Sequence, residues 1–199
     1  MSCALIVALS LAASPASPGS PLEVVKRGNT TIQSLLKSPD ASVERLAMAV
    51  DQFVDFGELA KRALGREWNR LSPAQQQDFS TTMKGLLRAS YAQRALGQGA
   101  AEIRYGAEKR DGKEAEVTTT LLLKKDELPV AYRLYKVAGR QGWRIFDVVT
   151  DEVSLVETYR GQFRKLIADK GYDGLLTTLK NKRAQLERSA SASAPQASN

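Results

Sequence analysis

The hydrophobic period of this chain switches between Gly99 and Glu102, and that change restricts the fold more than any other feature. Before it, apolar residues recur every three to four positions, as on a helix. After it they alternate, as on strands, over residues 102–109, 114–124, 130–137 and 143–149. The links are short: Asp111-Gly112, residues 126–129 and residues 139–142. Such links turn a strand back on its neighbour, and Asp-Gly favours a hairpin turn. The alternating region therefore reads as a four-stranded antiparallel meander.

Helices flank it. Residues 22–37 form the first, with Val25, Ile32, Leu35 and Leu36 available for one face, and Ser38-Pro39-Asp40 breaks it. Residues 43–53 form the second. Asp55 followed by Glu58 starts a third, as an acidic capping box. Ser72-Pro73-Ala74-Gln75 starts a fourth, with an N-cap serine, proline at the first helical position and glutamine three residues after the cap. Gly97 and Gly99 end it. A closing helix runs over residues 155–188, with a break near Lys170-Gly171. The fold class is α+β: a helical half, a curved four-stranded antiparallel meander, and a closing helix.

Composition removes several chemistries. The chain has 199 residues, enough for one domain with a real core. It contains no histidine, so the commonest general base and metal ligand are missing. Its single cysteine, Cys3, permits neither an intrachain disulfide nor a thiolate metal cluster. No metal and no catalytic set are expected. The net charge of +7 suits nucleic acid, anionic lipid or an acidic protein. Only Phe163 and Tyr172 fall among the eight basic residues of the closing helix, which argues against a single-strand nucleic-acid platform.

No side chain in the first 22 residues is charged, and residues 4–13 are an apolar run too short to span a bilayer. The run fits the core of a secretory signal peptide over residues 1–16, with cleavage near Ala16. A single domain over residues 17–188 is expected to follow, introduced by a Pro/Ser/Gly linker at residues 17–21. Residues 189–199 are of low complexity and expected to be disordered.

The segment from Trp143 to Leu179 carries a denser pattern. It holds Trp143-Arg144, Asp147-Val148, Ser154-Leu155-Val156, Tyr159-Arg160, Gln162-Phe163, Gly171, Asp173 and Leu175-Leu176. This spacing resembles the carboxy-terminal half of the MlaC family, also known as toluene-tolerance or ABC-transporter auxiliary proteins. Leu64-Gly65, Trp68, Leu71-Ser72 and Phe79 extend the resemblance into the helical half. The chain departs from the family at Glu152, where a glycine is usual. The resemblance implies an NTF2-like cone with an apolar cavity. It further implies a periplasmic phospholipid carrier, not an enzyme, with glycerophospholipid as cargo. Its implied partners are an outer-membrane lipid complex and an inner-membrane ABC transporter complex.

On that reading the residues expected to face acyl tails are Phe79, Met83, Leu87 and Tyr91 on the fourth helix. To these are added Val117, Leu121, Val130, Tyr132, Leu134 and Ile145 on the strands, and Tyr159 and Phe163 on the closing helix. A cavity for tails and an ordinary core need the same residue types, so periodicity alone leaves both open. Residues 160–188 hold eight Lys/Arg against three Asp/Glu. Arg160, Arg164, Lys165, Lys180, Lys182 and Arg183 are the candidates for contact with a partner or a head group; a solvated face is the alternative. Two other functions stay open: an NTF2-like enzyme using Asp147 or a tyrosine on a hydrophobic substrate, and a basic adaptor without a ligand. A deep apolar pocket favours the carrier, an ionisable pair at its centre the enzyme, and a solid interior the adaptor.

Overall fold

The computed structural model describes residues 19–123, 126–137 and 142–192. The expected leader, with Cys3, and residues 193–199 lie outside them. Helix α1 (Pro21–Lys37) starts where Ser20 accepts a hydrogen bond from the Glu23 N–H and Pro21 takes the first position. These two residues cap the helix and are not linker. Ser42 caps α2 (Val43–Val50) in the same way. That helix stops short of Phe53 because residues 53–55 join the sheet. The Ile145 N–H donates to the Phe53 carbonyl, and the Asp55 N–H to the Ile145 carbonyl, a parallel bridge at Val54.

Asp55 caps α3 (Phe56–Leu64), and a 3-10 turn (Gly65–Arg70) leads to α4 (Pro73–Gln98). There Ser72 and Gln75 form a complete capping box, and Gly99, at φ 73°, ends the helix. The strands follow as β1 (Glu102–Asp111), β2 (Glu114–Leu122), β3 (Glu127–Lys136), β4 (Trp143–Thr150) and β5 (Val153–Ser154). Helix α5 (Leu155–Ala192) closes the chain, interrupted at Gly171 with φ 70°. Residues 189–192, expected in the tail, are helical; their two alanines are the best helix formers.

The sheet is antiparallel in the order β1-β2-β3-β4-β5, so it has five strands and not four. The fifth strand is reached through Asp151-Glu152, both at positive φ (47° and 64°), between the paired Thr150 and Val153. That is the type I′ hairpin signature, normally announced by Asn-Gly or Asp-Gly. Asp-Glu carries no such signal, which hid the strand. A left-handed conformation costs a non-glycine residue roughly 1–2 kcal/mol. Glu152→Gly is therefore expected to raise stability by about 1 kcal/mol, seen as a higher urea midpoint. An unchanged midpoint would show that the turn stores no strain.

Strand β3 also starts earlier than expected, at Glu127, and includes Pro129. Pro129 pairs with Thr120 on one side, while pairing with β4 begins only at Val130. Its missing N–H thus falls on an edge, the place where a strand tolerates proline. Two bulges bend the meander: one at Gly106-Ala107 in β1, the other at Phe146 in β4. The second breaks the alternation, so Ile145, Phe146 and Asp147 are buried in succession.

Two cores result. Val24 and Val25 of α1 pack on Val117, Leu134, Trp143 and Ile145 of the sheet. The other core joins α3, α4 and α5 through Leu59, Phe79, Met83, Phe163 and Leu175. Phe79 and Phe163 meet edge to face with centroids 5.6 Å apart.

Candidate functional site

The two cores do not close on each other completely. Between them lies a cavity of about 470 Å³. Ile32 of α1, Leu46, Ala47 and Val50 of α2, and Val54, Phe56 and Leu59 around α3 form one wall. Leu87, Arg88, Tyr91 and Ala95 of α4 form another. Ile145, Asp147, Val148 and Thr150 of β4, Val153 of β5, and Leu155 and Thr158 of α5 complete it. Tyr91 and Val153 are 44% and 58% exposed, which marks the opening.

The motif around Trp143–Phe163 builds the frame of this cavity. Arg144 donates to the carbonyls of Asp51, Gln52 and Val54 at 2.8 Å each, pinning the segment between α2 and α3. Asp147 is 1% exposed. Its Oδ2 accepts from Ser154 Oγ at 2.7 Å and from Arg133 Nη1 at 3.3 Å, and its Oδ1 from the Val156 N–H at 3.0 Å. Ser154 Oγ in turn accepts from the Glu157 N–H. Asp147 and Ser154 therefore clasp β4 to the first turn of α5, which fixes the direction in which that helix leaves the sheet. Arg160 donates twice to the carbonyl of Arg62 at the end of α3, at 3.1 and 3.0 Å.

Of the expected tail-facing residues, Leu87, Tyr91 and Ile145 line this cavity. Phe79, Met83 and Phe163 lie in the solid helical core, and Tyr159 packs at its margin. Val117 and Leu134 are enclosed beneath α1. Val130 is buried on β3, and Tyr132 beside it bonds through its hydroxyl to Asn29 Oδ1 at 3.2 Å. Leu121 is half-buried, opposite Leu128. The face that Val117 and Leu134 share is the one that α1 covers. The residues missed, chiefly Leu46, Ala47, Val50 and Val54, sit on a short helix and a connection whose apolar pattern is that of ordinary core.

The basic candidates scatter. Arg160 is spent on the Arg62 carbonyl and Glu157. Lys180 pairs with Asp78 at 2.8 Å, and Arg183 with Glu187 at 2.6 Å. Arg164, Lys165 and Lys182 are exposed, and Arg164 borders a second cleft beside the 3-10 turn with Arg66, Ile167 and Ala168.

Three titratable groups near the cavity have shifted ionisation. The oxygens of Asp147 are engaged as described. Burial, then the neighbouring Tyr91 phenol, pushes Tyr159 up to about 12. Burial and the bond it donates to Asp55 (2.7 Å) do the same for Tyr135, also to about 12. For Asp55 itself burial acts upward. The Tyr135 hydroxyl, the Glu58 and Gly57 N–H groups and Arg144 outweigh it and hold the carboxyl below its usual value. A folded value below the unfolded one means stability present above about pH 4 and lost as pH falls through the lowered value. Asp55→Asn is expected to flatten this acid limb of a stability–pH curve while lowering the plateau. A variant with an unaltered acid limb would remove Asp55 as its source.

A bent meander, helices wrapped about it and an apolar cavity at their junction define a binding protein for a largely apolar small molecule. The chain belongs to the MlaC family: the family model, described as MlaC protein, matches residues 22–181. Among solved structures it is similar to the phospholipid-binding protein from Ralstonia solanacearum in complex with a phospholipid, with 26% identity and a TM-score of 0.71. That match covers 83% of this chain and 95% of the other. No curated protein matches the chain.

Proposed function

We propose that the protein binds a glycerophospholipid with its acyl tails in the cavity. It carries this lipid through the periplasm between an outer-membrane complex and an inner-membrane ABC transporter complex. The observation that carries the reading is the apolar cavity between α1–α4 and the β4–α5 junction. Membership of the MlaC family and a relative solved with phospholipid support it. Among the described residues no helix is long and apolar enough to cross a membrane, as befits a carrier that moves between two.

The mechanism is transfer without covalent chemistry. Burying a methylene is worth about 0.8 kcal/mol, so two chains of roughly 16 carbons contribute about 25 kcal/mol of gross transfer energy. A bilayer offers the same gain. Exchange between cavity and membrane is then nearly neutral, and the docking partners set its direction. On this reading, exposed Arg164, Lys165 and Lys182 supply the positive charge that an acidic partner meets.

Protein purified natively from a Gram-negative host should release phospholipid on organic extraction, identified by mass spectrometry at a fixed ratio to protein. Protein that yields none, even after incubation with anionic vesicles, would overturn the carrier reading in favour of the ligand-free adaptor.

A further inference from the structure

The cavity wall is apolar apart from a few groups, and one of these is a cation, Arg88. One turn before it on α4, the Lys84 ammonium lies 5.9 Å from the ring centroid of Phe56, itself a lining residue. Both cations lean on one carboxylate. Asp51 Oδ2 is 2.8 Å from Lys84 Nζ and accepts a hydrogen bond from Arg88 Nη2. Two positive charges therefore share a single negative one beside the cavity.

The pairing is incomplete in a second respect. Asp51 Oδ1 and Arg88 Nε are both buried without a hydrogen-bond partner. A buried N–H left unpaired is costly, so this donor favours an acceptor brought by a ligand. The Asp51 backbone cannot follow its partners, because Arg144 holds the carbonyls of residues 51, 52 and 54. Any exchange of partners thus falls to the Lys84 and Arg88 side chains. Tyr91, at the opening, is one turn further along α4. The spare charge is single, and the arginine fork matches two oxygens on one phosphorus. A phosphodiester monoanion meets both conditions.

We propose that Lys84 and Arg88 form a phosphodiester-binding subsite at the cavity wall. Asp51 holds the two cations in place before lipid enters and gives them up to the phosphate. The proposal rests on the phospholipid reading above and adds to it a fixed place for the head group.

The test uses the full domain, stripped of lipid, and three probes: phosphatidylglycerol, a diacylglycerol with the same acyl chains, and inorganic phosphate. Lys84→Gln with Arg88→Gln is expected to weaken phosphatidylglycerol and to lower its preference over diacylglycerol at least about tenfold. Asp51→Asn removes the competing carboxylate and is expected to tighten phosphatidylglycerol alone. If the double variant fails to fold, Lys84→Gln by itself should weaken phosphatidylglycerol about threefold. Equal affinity of variant and parent for phosphatidylglycerol, with both binding diacylglycerol, overturns the subsite and spares the carrier. A parent protein that binds neither lipid overturns both. Inorganic phosphate binding as tightly as phosphatidylglycerol overturns the head-group assignment in favour of a free-anion site.

Discussion

Val50→Glu should leave the protein folded but without lipid, whereas Phe163→Glu should unfold it. The two residues have opposite surroundings. Phe163 is 1% exposed and stands between the rings of Phe79 and Tyr159, with centroids 5.6 and 5.4 Å away. Truncating a buried phenylalanine alone costs about 3–5 kcal/mol. An unpaired carboxylate at the same place adds several more, against a total stability of roughly 5–15 kcal/mol. Val50 is half-buried and lines the cavity. A carboxylate there reaches water once lipid is excluded, so the fold bears little of the cost. Lipid bears it instead. Each 1.4 kcal/mol of lost contact weakens retention about tenfold, and a charge against acyl chains exceeds that. Thermal unfolding and lipid content measured on the same preparations separate the cases. A folded Phe163→Glu variant, or a Val50→Glu variant that keeps its lipid, would mean that Phe163 does not sit in solid core or that Val50 does not face the tails.

Asp147→Ala is expected to cost about 3–5 kcal/mol of stability in denaturant unfolding. Three bonds are lost together: to Ser154 Oγ, to the Val156 N–H and to Arg133. The Val156 N–H is then a buried donor without a partner. Asp147→Asn keeps the shape and one carbonyl acceptor, so its loss should be smaller. Ser154→Ala should cost about 1 kcal/mol, the ordinary value of a serine cap. If Asp147→Ala is as mild as Ser154→Ala, the carboxylate does not hold β4 to α5. An intact fold with abolished lipid transfer would revive a direct role for it in function.

Asp147 also shows where reading the residues succeeds. Asp147-Val148 and Ser154-Leu155-Val156 belong to one sequence motif, and the structure joins the two through the Ser154 Oγ to Asp147 bond. The caps at Ser72 and Asp55 and the break at Gly171 were legible for the same reason, because each is a local signal with a local cause. The cavity was not. Val117 and Leu134 alternate as correctly as Ile145 does, but α1 covers the first two and only Ile145 reaches the gap. Which apolar face stays uncovered depends on where helices from the other half of the chain come to rest. Arg160 misled for a related reason. Its charge suggested a surface contact, while its geometry serves a carbonyl at the end of α3.

The bridge of Val54 to Ile145 has a consequence in time as well as in space. The cavity wall begins at Ile32 and is finished only at Thr158, and that bridge is the seam between its early and late parts. A chain emerging in order, amino end first, owns three helical walls long before it owns the fourth side. Until β4 pairs and the first turn of α5 docks, the apolar faces of α2 and α4 have nothing to enclose a tail with. The cavity is therefore complete only when both halves of the chain are in place.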